Sequence, residues 1–289
     1  MQAIDTRSST NYTITHLSPT SNQQAARMAK GRYAVSLSGG LASALAAERA
    51  IQRYGRDQVL LWFADTQEED ADLYRFLHDL MARWGGQLFY YTDGRRPLDI
   101  AEKKGIIPCN QLAPCSFELK VRPYRTFIQA MPELPVVIIG LDYWESRRLK
   151  TTRASYAKAI PNAVVDYPLL WPQVETRPLT QVSREDWQIE PPRLYLLGFP
   201  HNNCGGACVR QGREEWERLY RHFPERYAAR EEWENAQQAK GGPRAKRAFC
   251  AIQRQGVKGP ITLTEIREHL ENNNQPEEPG DLQQLCMFT

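Results

Sequence analysis

No stretch of the 289-residue chain approaches the ~20 consecutive apolar residues that a membrane-spanning helix needs. The opening, Met1-Gln2-Ala3-Ile4-Asp5-Thr6-Arg7, also lacks the apolar core of a secretion signal and leads into a polar Ser/Thr/Asn/Gln-rich stretch to about residue 28. A cytoplasmic protein without a membrane partner is expected. An excess of one charge is missing too: Lys plus Arg number 37 against 34 Asp plus Glu, a net charge of +3. Overall charge therefore does not announce nucleic-acid binding, and only local clusters can make that case. No internal repeat is present. Cysteine is sparse, at six, and in a reducing compartment such residues serve as thiols, metal ligands or redox groups rather than structural disulfides.

One large α/β unit, with or without a C-terminal extension, is within reach of this length. Apolar runs at Tyr33–Leu37, Val59–Ala64, Gln87–Tyr91 and Val136–Ile139 read as strands, with a shorter candidate at Val164–Leu169. Helical spacing falls between them, at Ala44–Gln52 and Asp72–Trp84. Alternating strands and helices predict a doubly wound parallel sheet with right-handed crossovers. Ser183-x-x-Asp186 has the pattern of a helix start. Three units are expected: a polar lead over 1–28, an α/β domain over 29–212 and a helical extension over 213–289. In the extension, Trp216, Leu219, Tyr220 and Phe223 form an apolar stripe read as core packing, and 240–247 is a basic loop. A linker over 272–280 leads to a tail ending Cys286-Met287-Phe288-Thr289.

Ser38-Gly39-Gly40-Leu41-Ala42-Ser43 lies between the first of these strands and a helix start. Adjacent glycines let backbone approach an anion, and the helix N-terminus and the hydroxyls of Ser38 and Ser43 can donate to phosphate oxygens. Taken alone the string is equally a helix cap. It lacks the Gly-Lys-Ser/Thr ending of a Walker loop, which disfavours kinase or motor ATPase chemistry. The next strand ends at Asp65-Thr66, followed by Glu68, Glu69 and Asp70. In an open parallel sheet that position lies beside the glycine turn.

Ser-Gly-Gly-x-x-Ser followed by Asp-Thr-x-x-Glu resembles the PP-loop ATP pyrophosphatases, and more closely the branch holding phosphoadenylylsulfate (PAPS) reductases and the sulfurtransferases of DNA phosphorothioation. Cys115-Ser116 with Leu119-Lys120 and Pro123, and Gly140-Leu141-Asp142-Tyr143-Trp144-Glu145-Ser146-Arg147-Arg148, resemble further segments of that branch in the same order. The likeness spans roughly residues 30 to 215. It departs at Ala42, where many such enzymes carry aspartate, so the usual carboxylate for a magnesium role is missing at that position.

The resemblance implies an adenine nucleotide alpha hydrolase-like fold that cleaves ATP, with Mg2+, between its α- and β-phosphates. Ser36, Ser38, Gly39, Gly40, Ser43, Asp65 and Thr66 would bind the nucleotide. Lys120, Arg147 and Arg148 would neutralise phosphate charge, and Asp65 would act in catalysis. An adenylylated acceptor would then receive sulfur, with DNA the favoured acceptor and a cysteine desulfurase the sulfur donor. PAPS reduction competes, although the tail lacks the reductase's Glu-Cys-Gly-x-His ending. tRNA thiolation and nucleotide binding without turnover are the other readings.

Cys204-Gly205-Gly206-Ala207-Cys208 sets two thiols four positions apart around a glycine turn, able to converge on one metal ion or cluster, or to pack as small buried residues. The preferred ligand set is Cys115, Cys204, Cys208 and Cys286, for a [4Fe–4S] cluster or else zinc. Cys250, in an apparent helix over Ala248–Ile252, reads as packing. Cys109 is either a sulfur-carrying or resolving thiol or an ordinary buried one. His201 is either a metal or phosphate contact or an ordinary hydrogen-bonding residue.

Overall fold

The structure is a computed structural model and describes residues 11–142, 145–251 and 259–272. In chain order its elements are β1 (Tyr12–Leu17), α1 (Asn22–Met28), β2 (Tyr33–Leu37), α2 (Leu41–Tyr54), β3 (Val59–Asp65), α3 (Ala71–Trp84), β4 (Gly86–Thr92) and α4 (Pro97–Lys104). There follow α5 (Pro114–Ser116), α6 (Arg122–Ala130), β5 (Val136–Ile138), α7 (Ser146–Ala159), β6 (Val165–Asp166) and α8 (Leu179–Glu185). Last come α9 (Arg193–Leu196), α10 (Arg213–His222), α11 (Pro224–Ala239) and α12 (Leu263–Asn272).

All six strands are parallel, in the order β1-β4-β3-β2-β5-β6. Alternate residues of the strands enter different cores, because successive side chains point to opposite faces. Val35, Leu37, Leu61, Phe63 and Leu88 pack with α2 and α3 on one face. Ala34, Leu60, Trp62, Phe89 and Tyr91 pack with α1, α6 and α7 on the other. Crossovers through α2 and α3 step one way along the sheet, and those through α1, α6 and α7 step the other. The direction reverses between β2 and β5, so a crevice opens beyond their carboxyl ends. The expected doubly wound α/β architecture is thus present.

A third core combines Ile107, Leu194, Phe199, Ala207 and Val209 with Trp216, Leu219, Tyr227, Phe249, Leu263 and Ile266. It takes residues from both sides of position 212 and packs α10, α11 and α12 against the chain segments that follow β4 and β6.

Several local expectations are corrected. Within the polar lead, Tyr12–Leu17 is an edge strand paired with β4. The strand expected over Val164–Leu169 is cut to Val165–Asp166, because Pro168 starts a helical turn. Ser183 begins no helix: it lies in α8, where its hydroxyl donates to the Ile189 carbonyl at 2.7 Å. Cys250 is extended rather than helical, bridging Ile261. The tail bearing Cys286 lies outside the described residues. No described helix is long and apolar enough to cross a membrane.

Candidate functional site

The Ser38–Ser43 loop leaves the end of β2 and enters α2 at the point where the sheet reverses direction. Gly39 has φ +79°, and a Cβ there would stand 2.8 Å from Leu73, so both conformation and space demand glycine. The Ser43 hydroxyl donates to the Gly40 carbonyl at 2.9 Å and accepts the Ser38 N–H at 3.0 Å, and the two serine hydroxyls are 2.9 Å apart. From across the crevice Gly140, just beyond β5, comes so close to α2 that a Cβ on it would fall 2.6 Å from the Ala42 carbonyl oxygen and 2.7 Å from Ser43 Cα. This contact explains the glycine that opens the Gly-x-x-x-x-Glu-Ser-x-Arg segment. Ser36, in β2, belongs to the opposite face from Val35 and Leu37 and is half-buried.

Two residues that the sequence reading missed close this loop. The Tyr195 hydroxyl accepts the Leu41 N–H at 3.3 Å, occupying the helix terminus where an anion would bind. Asn202 is buried and its side-chain amide donates to the Gly39 carbonyl at 3.3 Å. Its Oδ1 is buried without a partner, leaving an acceptor open beside the loop.

Asp65, at the end of β3, is already loaded. Oδ1 accepts the Gln67 N–H at 2.7 Å and the Tyr74 hydroxyl at 2.8 Å, and Oδ2 accepts the Tyr90 hydroxyl at 2.8 Å. Burial, reinforced by the Asp65 charge, pushes both tyrosines far above their ordinary range, so they remain donors. A groove of about 260 Å³ on the outer side of this pair is lined by Ile14, His16, Tyr74, Leu77, His78 and Tyr90, away from the glycine loop. Thr66 is buried and donates to Glu69 Oε1 at 3.0 Å.

Glu69 joins the two halves of the site. Its side chain is fully buried; Oε1 takes the Lys120 ammonium at 3.0 Å and Oε2 accepts the Cys204 N–H at 2.7 Å. Cys204 is a non-glycine residue with φ +50°, a strained conformation that the Glu69 contact holds in place. Asp70 extends this anchoring: fully buried, it accepts a two-pronged bond from Arg193 at 2.8 and 2.8 Å and one from Arg226 at 2.7 Å. Arg226 also donates to the Gly205 carbonyl at 2.7 Å. Glu68 pairs with Arg230 of α11. The acidic run after β3 therefore fastens the cysteine turn and the helical unit to the sheet.

Around Lys120 the thiols of Cys204, Cys208 and Cys115 gather. The Cys204 thiol donates to Cys208, and with help from the Arg210 N–H and Lys120 this lowers Cys208 below its usual value against the cost of burial. Cys204, which keeps the shared proton, is raised. Burial and the neighbouring Cys208 raise Cys115. Burial alone would lower the Lys120 ammonium, but Glu69 and the two thiols of the turn raise it above its usual value. Cys204 and Cys208 are thus bonded to each other, with Cys115 near enough to feel the charges of Cys208 and Lys120. Among the described residues, no group of three or more His, Cys, Asp or Glu is arranged to hold a metal ion.

Cys109 is buried beside Cys250 of the third core, its N–H and carbonyl both bonded to Leu112. Arg147 and Arg148 are exposed in the first turn of α7, with Arg148 paired to Glu145. The charges of both Arg148 and Glu145 reach His201, which is itself exposed, so the start of α7 borders the loop carrying Asn202 and the cysteines. Comparison with protein-family models, with curated proteins and with solved structures finds no match to this chain.

Proposed function

We propose that the chain is an ATP-dependent sulfurtransferase of PP-loop type, acting in DNA phosphorothioate modification. The observation that carries this reading is one short loop. Asn202 in it touches Gly39 of the glycine turn, and Cys204 in it is bonded to Glu69, which holds Lys120 among the thiols. A phosphate-type cradle and a thiol group are thereby parts of one constellation.

In this reading an acceptor oxygen attacks the α-phosphorus of ATP, pyrophosphate leaves, and a sulfur nucleophile later displaces AMP from the adenylylated acceptor. The α2 N-terminus and the Ser38 and Ser43 hydroxyls receive pyrophosphate, with the Tyr195 hydroxyl giving way. Asn202 Oδ1 is open to a donor of the bound nucleotide. Arg147 and Arg148, at the mouth of the crevice, balance phosphate charge. Asp65 fits Mg2+ through a lone pair or bound water only alongside its three existing donors, which makes it a positioning group for the metal's water shell. Lys120 serves the thiols rather than the phosphates.

The donor chemistry of Cys115, Cys204 and Cys208, soft sulfurs facing an ammonium, suits a [4Fe–4S] cluster, with zinc as the second choice and Cys286 as the remaining ligand. A cluster there supplies a soft metal able to hold reduced sulfur. A cysteine desulfurase is the proposed sulfur donor.

Titration calorimetry with ATP and Mg2+ tests the cradle, comparing wild type with Gly40→Val, whose added side chain meets the Tyr195 hydroxyl position at 2.8 Å. Binding lost in the variant with its fold intact is expected; equal affinity removes the assignment. Mass spectrometry of nuclease-digested DNA from cells with and without the gene reads the acceptor. Phosphorothioate dinucleotides support the reading, and conversion of PAPS to sulfite by the pure protein replaces it.

A further inference from the structure

α7 carries Arg147, Arg148, Lys150, Arg153 and Lys158 and no acidic residue. Elsewhere many of the described cations are ion-paired, among them Arg75, Arg83, Arg177, Arg184, Arg193, Arg226, Arg230 and Arg267. Among the described residues, no carboxylate pairs with Arg147, Lys150, Arg153 or Lys158. The only buried residue of α7 is Tyr156. At about 100° per residue, Arg147, Lys150 and Lys158 fall within one sector opposite Tyr156, a stripe facing solvent. Beside it, Arg125 of α6 lies over the Tyr156 ring at 4.5 Å and donates to the Ser155 hydroxyl at 2.7 Å.

We infer that the α7 stripe is a docking rail for the phosphate backbone of duplex DNA, leading it into the crevice at the sheet's switch point. This rests on the function proposed above only for the identity of the crevice. Three observations choose the partner. At about 1.5 Å per residue, Arg147 to Lys158 spans about 17 Å, the length of about five phosphates on each strand of a duplex. The stripe begins in the first turn of α7, a few residues after Gly140, which packs against Ala42 and Ser43 of the glycine turn, so a backbone lying along it is led toward that turn. The outer face of α7 has no apolar side to enter a lipid surface, and the described aromatics of α6 and α7, Tyr124, Phe127 and Tyr156, are buried and offer no platform for stacking single-strand bases.

The test measures fluorescence anisotropy of labelled duplex DNA, duplex RNA and anionic lipid vesicles against salt, using the full chain. The variants are Lys150→Glu/Lys158→Glu and the neutral Lys150→Gln/Lys158→Gln, which avoids placing an acid in the last turn of α7. Duplex DNA affinity is expected to fall about tenfold or more, and the slope of log affinity against log salt to flatten by about 2, since each phosphate contact contributes about 0.9. ATP binding by calorimetry is expected to stay at the wild-type value. Unchanged DNA affinity and slope in both variants overturn the inference. So does a wild type that binds only RNA or vesicles through these lysines. Failure of the wild type to bind ATP counts against the proposed function alone, because the DNA arms still read α7 directly.

Discussion

Replacing Asp70 by asparagine should loosen the junction between the sheet and the helical unit by about 2–3 kcal/mol. The carboxylate is fully buried and takes three bonds from two arginines, together with the Asp72 N–H at 3.0 Å that caps α3. Breaking a fully buried pair costs about 3–5 kcal/mol. Here the guanidiniums of Arg193 and Arg226 are 47% and 36% exposed, so they recover water when released and the loss is discounted. Asparagine keeps the cap; alanine should cost about 1 kcal/mol more. At roughly 2–4 °C per kcal/mol for chains of this size class, the asparagine variant should melt about 4–12 °C lower.

The pH dependence separates this cause from general damage. Burial alone would raise the Asp70 carboxyl, but bonds from Arg193, the Asp72 N–H and Arg226 outweigh it and hold the group below its usual range. A carboxyl depressed in the folded state contributes stability that is complete above its unfolded value and disappears as pH falls through the folded one. The gap between wild type and Asp70→Asn should therefore be full at neutral pH and close in acid. Urea titrations at both ends of that range measure it. A variant within 0.5 kcal/mol of wild type at neutral pH, by the usual surface-substitution scale of about ±0.5 kcal/mol, refutes the anchoring role. A gap that persists unchanged in acid refutes its electrostatic origin.

Tyr195→Phe removes the hydroxyl that accepts the Leu41 N–H, so nucleotide no longer displaces it; ATP should bind up to about tenfold tighter, one net hydrogen bond being about 0.5–1.5 kcal/mol. Calorimetry showing weaker binding instead makes the hydroxyl a ligand contact rather than a stand-in. Burial pushes the Glu234 carboxyl up to about 7 against the Leu263 and Phe249 N–H groups that donate to it. Its contribution is complete below the unfolded value of about 4.3 and lost as pH rises through 7, by up to about 4 kcal/mol, and Glu234→Gln should flatten the stability profile in that window. A wild-type profile without this fall contradicts the assignment.

What the sequence discloses and what it hides divide by range of interaction. The strand, glycine turn and helix around Ser38–Ser43 are neighbours in the chain, so their pattern is local and readable. β3 reads equally well because a central strand covered on both faces is apolar throughout, as Val59–Ala64 is. β1 escapes notice for the converse reason: an edge strand solvated on one side can be built from Tyr12-Thr13-Ile14-Thr15-His16-Leu17, which has the composition of a polar lead. The short apolar run around Cys250 has no period long enough to separate an extended segment from a helical one.

Lys120 shows why the site itself is harder to read than the fold. Its residue type and its place in the Cys-Ser-x-x-x-Lys segment suit a phosphate contact, and nothing local argues otherwise. What the local pattern omits lies 51 residues earlier in Glu69, which the tertiary fold buries and aims at both the Lys120 ammonium and the Cys204 N–H. A buried carboxylate has to be paired, since an unpaired charge in that position is too costly to keep. Once Glu69 is enclosed, the nearest cation is committed to it, and the cation's field then falls on the thiols beside it. The same logic governs Asp70, whose partners lie 123 and 156 residues away. An acidic run after a strand thus carries one sequence signature for two physical roles, holding a metal or holding a domain, and burial decides between them.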